Sequence, residues 1–120
     1  MKVLIVDDEP LVRRSLERAF ARRGHQVFVA PDGREGLRLW RAEAPMDLVV
    51  LDVLMPEMTG PQVLSEIGSA RTGLVTLISA HTSEYNADAA AKLGADHFVA
   101  KPFEDIFVFV EKLEKLSQNR

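Results

Sequence analysis

Five polar side chains in this sequence could act together: Asp7, Asp8, Asp52, Ser79 and Lys101. Gathered at one place, the three acids offer only oxygen ligands, with no His or Cys among them, and so favour a hard cation, Mg²⁺ foremost. A divalent ion and the Lys101 ammonium would balance three formal negative charges. Phosphorylation of Asp52 then becomes feasible, because an aspartate attacking phosphorus forms an acyl phosphate. The metal and Lys101 would clamp the phosphoryl oxygens, and the Ser79 hydroxyl would donate to a third.

What positions these groups can be read from the runs before them. Val3-Leu4-Ile5-Val6 precedes Asp7, Leu48-Val49-Val50-Leu51 precedes Asp52, Leu74 to Ile78 precedes Ser79, and a brief strand within Asp96 to Ala100 precedes Lys101. Short apolar runs bounded by turn signals read as strands buried on both faces of a parallel sheet. Gln26 to Ala30 adds another strand. Helical stripes lie between them: Val12, Leu16, Ala19 and Phe20; Leu37, Trp40 and Ala44, ended by Pro45; Leu64 and Ile67 after Gly60-Pro61; Glu84 to Leu93, closed by Gly94. A last helix carries Ile106, Phe109, Val110, Leu113 and Leu116. Five β-α units in strict alternation imply an α/β fold, a single doubly wound five-stranded parallel sheet with helices on both faces. In the flavodoxin-like order 2-1-3-4-5 the first and third strands are neighbours at the switch point, and ligands bind at the carboxyl edge. Asp7, Asp8 and Asp52 would then crowd one small volume and hold protons unless a cation is present.

Composition narrows the function classes. The 120 residues suit one domain, read as spanning 1–120, and the 47% hydrophobic and 28% charged fractions are those of a globular chain. The absence of cysteine excludes disulfides, thiolate metal sites and cysteine nucleophiles. No apolar run approaches the roughly 20 residues of a membrane span. The N-terminus does not resemble a signal peptide, so a cytoplasmic location and no membrane partner are expected. A net charge of −3 gives no basic field, and direct nucleic-acid binding by this chain is not expected.

The ordered set Asp7-Asp8-Glu9-Pro10, Asp32-Gly33, Asp52 with Met55-Pro56-Glu57-Met58-Thr59-Gly60, Ser79-Ala80, Gly94-Ala95 and Lys101-Pro102-Phe103 resembles the receiver domain of two-component response regulators over essentially the whole chain. The resemblance implies a signalling switch rather than a turnover enzyme. Asp52 would be the phosphoacceptor, taking its phosphoryl group from a phosphohistidine of a sensor histidine kinase or phosphotransfer protein. Mg²⁺ would be held by Asp7, Asp8, Asp52 and the backbone carbonyl of Leu54. Ser79 and Lys101 would bind the phosphoryl group, and Lys101-Pro102 would be a cis peptide. Ser79 and Phe98 would form the switch, with Phe98 lacking the hydroxyl of a tyrosine-type switch. Leu54 and His81 fall where the family tunes phosphate lifetime. The fourth helix, fifth strand and fifth helix would make the output face, which is also a candidate homodimer contact.

Single residues carry plainer readings beside these. Asp52 alone could cap a turn, Asp7 and Asp8 could be helix N-terminal acids, and Lys101 could be a solvated lysine; the five in register favour chemistry. Phe98 reads equally as core. His25 and His97 read as surface or loop residues without metal-ligand spacing, and Met55 and Met58 as packing. Arg14, Arg18 and Arg22 make a like-charged stripe that is a solvated face or, by the resemblance, a kinase-docking face. Phe107 and Val108 lie off the last helix's apolar stripe and are either ordinary exposure or a dimer or effector contact. A pseudo-receiver, binding proteins without phosphate, is the alternative function. A flavin-binding protein would need a donor-rich loop after the first strand, where Asp7-Asp8-Glu9 instead repels phosphate. A dehalogenase-type phosphatase would want an acid two residues after its nucleophile, where Leu54 stands. The chain ends soon after the last helix without an effector domain, so a stand-alone receiver and a piece of a longer regulator both stay open.

Overall fold

The computed structural model describes residues 1–80 and 87–119. Five strands, β1 (Lys2–Val6), β2 (Gln26–Ala30), β3 (Leu48–Asp52), β4 (Leu74–Ser79) and β5 (His97–Ala100), alternate with α1 (Pro10–Arg22), α2 (Gly33–Ala42), α3 (Gly60–Ile67), α4 (Ala87–Lys92) and α5 (Ile106–Gln118). The sheet is wholly parallel in the order β2-β1-β3-β4-β5. This is the doubly wound arrangement expected from the alternation.

The two faces of the sheet bury separate clusters. Val3 and Ile5 of β1, with Leu48 and Val50 of β3, pack against Leu16, Ala19 and Phe20 of α1 and Phe109, Val110 and Leu113 of α5. Leu4, Val6, Val49 and Leu51 face α2 and α3 through Leu37, Trp40, Val63, Leu64 and Ile67. Every residue of β3 and β4 is buried, which is why these strands read as near-continuous apolar runs, with Thr76 the one interior polar residue, rather than as alternating ones. Each fully buried Leu, Ile or Val contributes roughly 1.5–3 kcal/mol of transfer free energy.

Local signals set the helix boundaries. Pro10 opens α1, where a missing N–H costs nothing. The Asp32 side chain accepts from the Glu35 amide at 2.8 Å and caps α2. Thr59 and Gln62 form a reciprocal capping box at α3. Asp105 caps α5 by accepting from the amides of Phe107 and Val108.

One expectation is corrected and one is narrowed. Ala44 is exposed and lies beyond α2, which ends at Ala42; buried Met46 supplies the apolar contact instead, because the chain leaves the helix before the cis Ala44–Pro45 bond. His25 does lie in the loop between α1 and β2, but it is largely shielded from solvent. Its side chain is only 10% exposed, and its Nε2 lies 2.5 Å from Oε2 of Glu114, a buried α5 carboxylate that also accepts from Arg23. Position 25 follows Gly24 in a turn, and nothing local to it announces a partner 89 residues away.

Candidate functional site

Strand parity brings the acids together. Side chains alternate along a strand. Asp7 therefore follows Val3 and Ile5 onto the α1/α5 side of the sheet, and Asp52 follows Leu48 and Val50 onto the same side. Because β1 and β3 are paired with Val6 opposite Leu51, the two carboxylates emerge side by side. One oxygen from each of Asp7, Asp8, Glu9 and Asp52 can be chosen so that all lie within 4.8 Å of one another. Glu9 was quoted in the motif but given no role; its exposed position at the rim is what pattern reading missed.

Lys101 reaches this cluster from the end of β5. Its Nζ lies 2.6 Å from Oε1 of Glu9, 3.1 Å from Oδ2 of Asp7 and 3.5 Å from Oδ2 of Asp52. The Lys101 amide donates to the Ser79 carbonyl at 2.9 Å, tying the ends of β4 and β5 together. The Lys101–Pro102 peptide is cis, as expected. Ser79 is buried at the tip of β4. Leu54 sits partly exposed just past Asp52, and Phe98 is half-buried on β5, packed against the α2/α3-side cluster. His81 lies outside the described residues.

The backbone around Asp52 is tightly held. The Val53 amide donates to the Ile78 carbonyl at 3.0 Å, and the Gly60 amide donates to the Val53 carbonyl at 2.9 Å. A Cβ at position 60 would stand 2.5 Å from the Asp52 carbonyl oxygen, so only glycine lets α3 begin against the strand tip. On the β1 side, the Glu9 amide donates to Oδ1 of Asp7 at 2.8 Å, and Arg13 donates to the Asp7 carbonyl at 2.8 Å.

The electrostatics record an unmet demand for positive charge. Burial, followed by repulsion from Asp7, pushes the Asp52 carboxyl up to about 7 in spite of Lys101. Burial also raises Asp7, outweighing the Glu9 amide and the Lys101 ammonium. Burial works against the charged form of Lys101, but Glu9, Asp7 and Asp52 outweigh it and hold the ammonium above the ordinary lysine range. A set of carboxylate oxygens that one lysine fails to neutralise fits a hard divalent cation. Among the described residues no helix is long and apolar enough to cross a membrane.

Comparison with known proteins agrees with this geometry. The family model for the response regulator receiver domain matches residues 3–112. The transcriptional regulatory protein KdpE of Mycobacterium tuberculosis is 41% identical over 101 residues, covering 84% of this chain and 44% of that protein. The chain spans less than half the length of the curated relatives it matches. The receiver domain of the Francisella response regulator 1452 superposes with a TM-score of 0.87 at 28% identity, over 98% of this chain and 97% of that one. The response regulator TrrA of Thermotoga maritima, solved in complex with Mg²⁺ and BeF, superposes with a TM-score of 0.80 at 33% identity, over 96% and 97% of the two chains.

Proposed function

The chain belongs to the response regulator receiver family, and on that premise we propose that it is a phosphorylation-controlled switch whose acceptor is Asp52. The observation that carries the reading is the buried Asp52 carboxylate, crowded by Asp7 and faced by Lys101. No finding favours the pseudo-receiver reading, and the complete acid, serine and lysine set argues against it.

In this reading an oxygen of ionised Asp52 attacks the phosphorus of a phosphohistidine on a sensor kinase or phosphotransfer protein. The new O–P bond forms as the P–N bond breaks, and the electron pair leaves with the imidazole, which takes a proton from solvent. Asp7, Asp8, Asp52 and the Leu54 carbonyl would hold Mg²⁺, which supplies neutralisation of the phosphoryl oxygens' charge when bound. Lys101 neutralises a further oxygen, and the Ser79 hydroxyl donates to another. Leu54, and His81 in the same family position past Ser79, would tune how long the phosphate stays.

The output follows from the same groups. Ser79 moving toward the phosphoryl group would vacate space for Phe98 to turn inward, shifting an existing equilibrium at the face built from α4, β5 and α5. That face would engage the effector or a second copy of the chain, and exposed Phe107 and Val108 lie at the start of α5 beside it. Docking of the phosphodonor fits a groove of about 480 Å³ beside the site, lined by Leu11, Val12, Phe103 and Ile106 together with Glu9 and Lys101. The exposed Arg14, Arg18 and Arg22 stripe runs along the same helix. The chain acts in the cytoplasm and accepts a phosphoryl group without being a turnover enzyme.

Incubation with acetyl phosphate and Mg²⁺ tests this. Intact-mass analysis should show one added phosphoryl group in the wild type and none in Asp52→Asn. A wild type that stays unmodified contradicts the proposal.

A further inference from the structure

The nearest partner of Lys101 is not the acceptor. Its Nζ lies 2.6 Å from Glu9 but 3.5 Å from Asp52. Lys101 is almost wholly buried, whereas the Glu9 side chain is 56% exposed at the rim. Glu9 occupies the N-cap position of α1, yet its side chain makes no capping bond. Its own amide is committed to Asp7. The carboxylate thus makes no bond to the helix end and is directed at the lysine.

We propose that Glu9 is a positioning residue that acts through Lys101, holding the ammonium toward the mouth of the site in competition with Asp52 and with the phosphoryl group it acquires. The inference rests on the phosphoacceptor reading given above. Before transfer, Lys101 is shared among Glu9, Asp7 and Asp52. As the Asp52 O–P bond forms and the donor's bond to phosphorus breaks, the ammonium must turn to the phosphoryl oxygens and give up its short bond to Glu9. That bond lies at a wet rim, where ion pairs are worth little, so it delays the lysine without trapping it. Asp7 remains beside the ammonium in both arrangements, and Lys101 is never left unpaired. Glu9 therefore stabilises the unphosphorylated arrangement selectively and slows acceptance.

The test is binding of beryllofluoride with Mg²⁺, which stands in for the phosphoryl group on a carboxylate, followed by calorimetry in wild type, Glu9→Gln, Lys101→Ala and the double variant. Glu9→Gln should bind about two- to fivefold more tightly than wild type, the range set by an exposed ion pair. Its thermal midpoint should fall only slightly, because its side chain caps nothing and an exposed ion pair is worth little. In the Lys101→Ala background the same substitution should have no effect. With acetyl phosphate as donor, the Glu9→Gln gain should appear in the maximal rate of acceptance and not in the half-saturating donor concentration. Unchanged or weaker binding by Glu9→Gln overturns the proposal, and weaker binding would assign Glu9 to the metal instead. An equal gain with Lys101 absent also overturns it, since Glu9 would then act on the phosphoryl group directly. A wild type that fails to bind beryllofluoride refutes the phosphoacceptor reading itself, a result distinct from an unchanged Glu9 variant.

Discussion

Replacing Asp52 with asparagine should make the protein more stable when divalent ions are absent. The substitution keeps the shape of the side chain and removes a negative charge that burial and Asp7 both oppose. Raising a carboxyl from 3.8 to about 7, at about 1.4 kcal/mol for each tenfold change in proton affinity, sets an upper bound of about 4 kcal/mol on the gain. Asparagine also forgoes its pairing with Lys101, but that attraction already moderates the position of Asp52, so the bound includes it. We expect a gain of about 2–4 kcal/mol at pH 8 in EDTA, measured by urea unfolding. The pH dependence has a definite sign. The folded state holds the Asp52 proton more tightly than the unfolded state, so this group's stabilisation is complete below 3.8 and is lost as pH rises through about 7. The two proteins should therefore converge near pH 4 and diverge toward pH 8. Added Mg²⁺ should stabilise the wild type and leave the variant less affected, closing the gap. A variant of equal or lower stability at pH 8 in EDTA would refute the claim that Asp52 sits in an unneutralised site.

Three further substitutions probe the scaffold. Gly60→Ala places a methyl 2.5 Å from the Asp52 carbonyl; it should cost about 1–3 kcal/mol in denaturant unfolding and slow phosphorylation by acetyl phosphate by displacing the strand tip. Thr76 is fully buried in β4 with a hydroxyl that finds no partner among the described residues, so Thr76→Val should stabilise by about 1 kcal/mol in the same assay. Glu114→Ala should destabilise by about 1–3 kcal/mol, by freeing His25 and Arg23 from their shared carboxylate. Burial works to raise the Glu114 carboxyl, but the donors His25 and Arg23 outweigh it and hold it below the usual range. Its contribution is thus present above the ordinary carboxylate range and lost on acidification, and the Glu114→Ala penalty should shrink in acid.

Much of this fold was legible because β3 is apolar up to Asp52 and β4 is apolar but for Thr76 and Ser79, the pattern of parallel strands covered on both faces. Their polar tips could be read for the same reason. In a run that tolerates no charge, Asp52 stands out, and the two-residue period carries it to the side that Asp7 takes. Glu9 and Glu114 were less visible. A rim carboxylate beside Pro10 reads as a helix-start acid, and its turn toward Lys101 depends on a residue 92 positions away. Glu114 looks like the solvent face of α5 until His25 and Arg23 meet it across the α1–β2 turn. Ala44 was misplaced because helical spacing continued on paper after the chain had left α2.

The central claim is that Asp52 accepts the phosphoryl group. Treatment with acetyl phosphate and Mg²⁺, followed by borohydride reduction and peptide mapping, tests it at the level of the residue, since reduction converts an aspartyl phosphate to homoserine. The account predicts homoserine at position 52 alone, dependent on Mg²⁺ and absent when EDTA replaces it. Homoserine at Asp7 or Asp8, or none anywhere in a folded wild type, would contradict it.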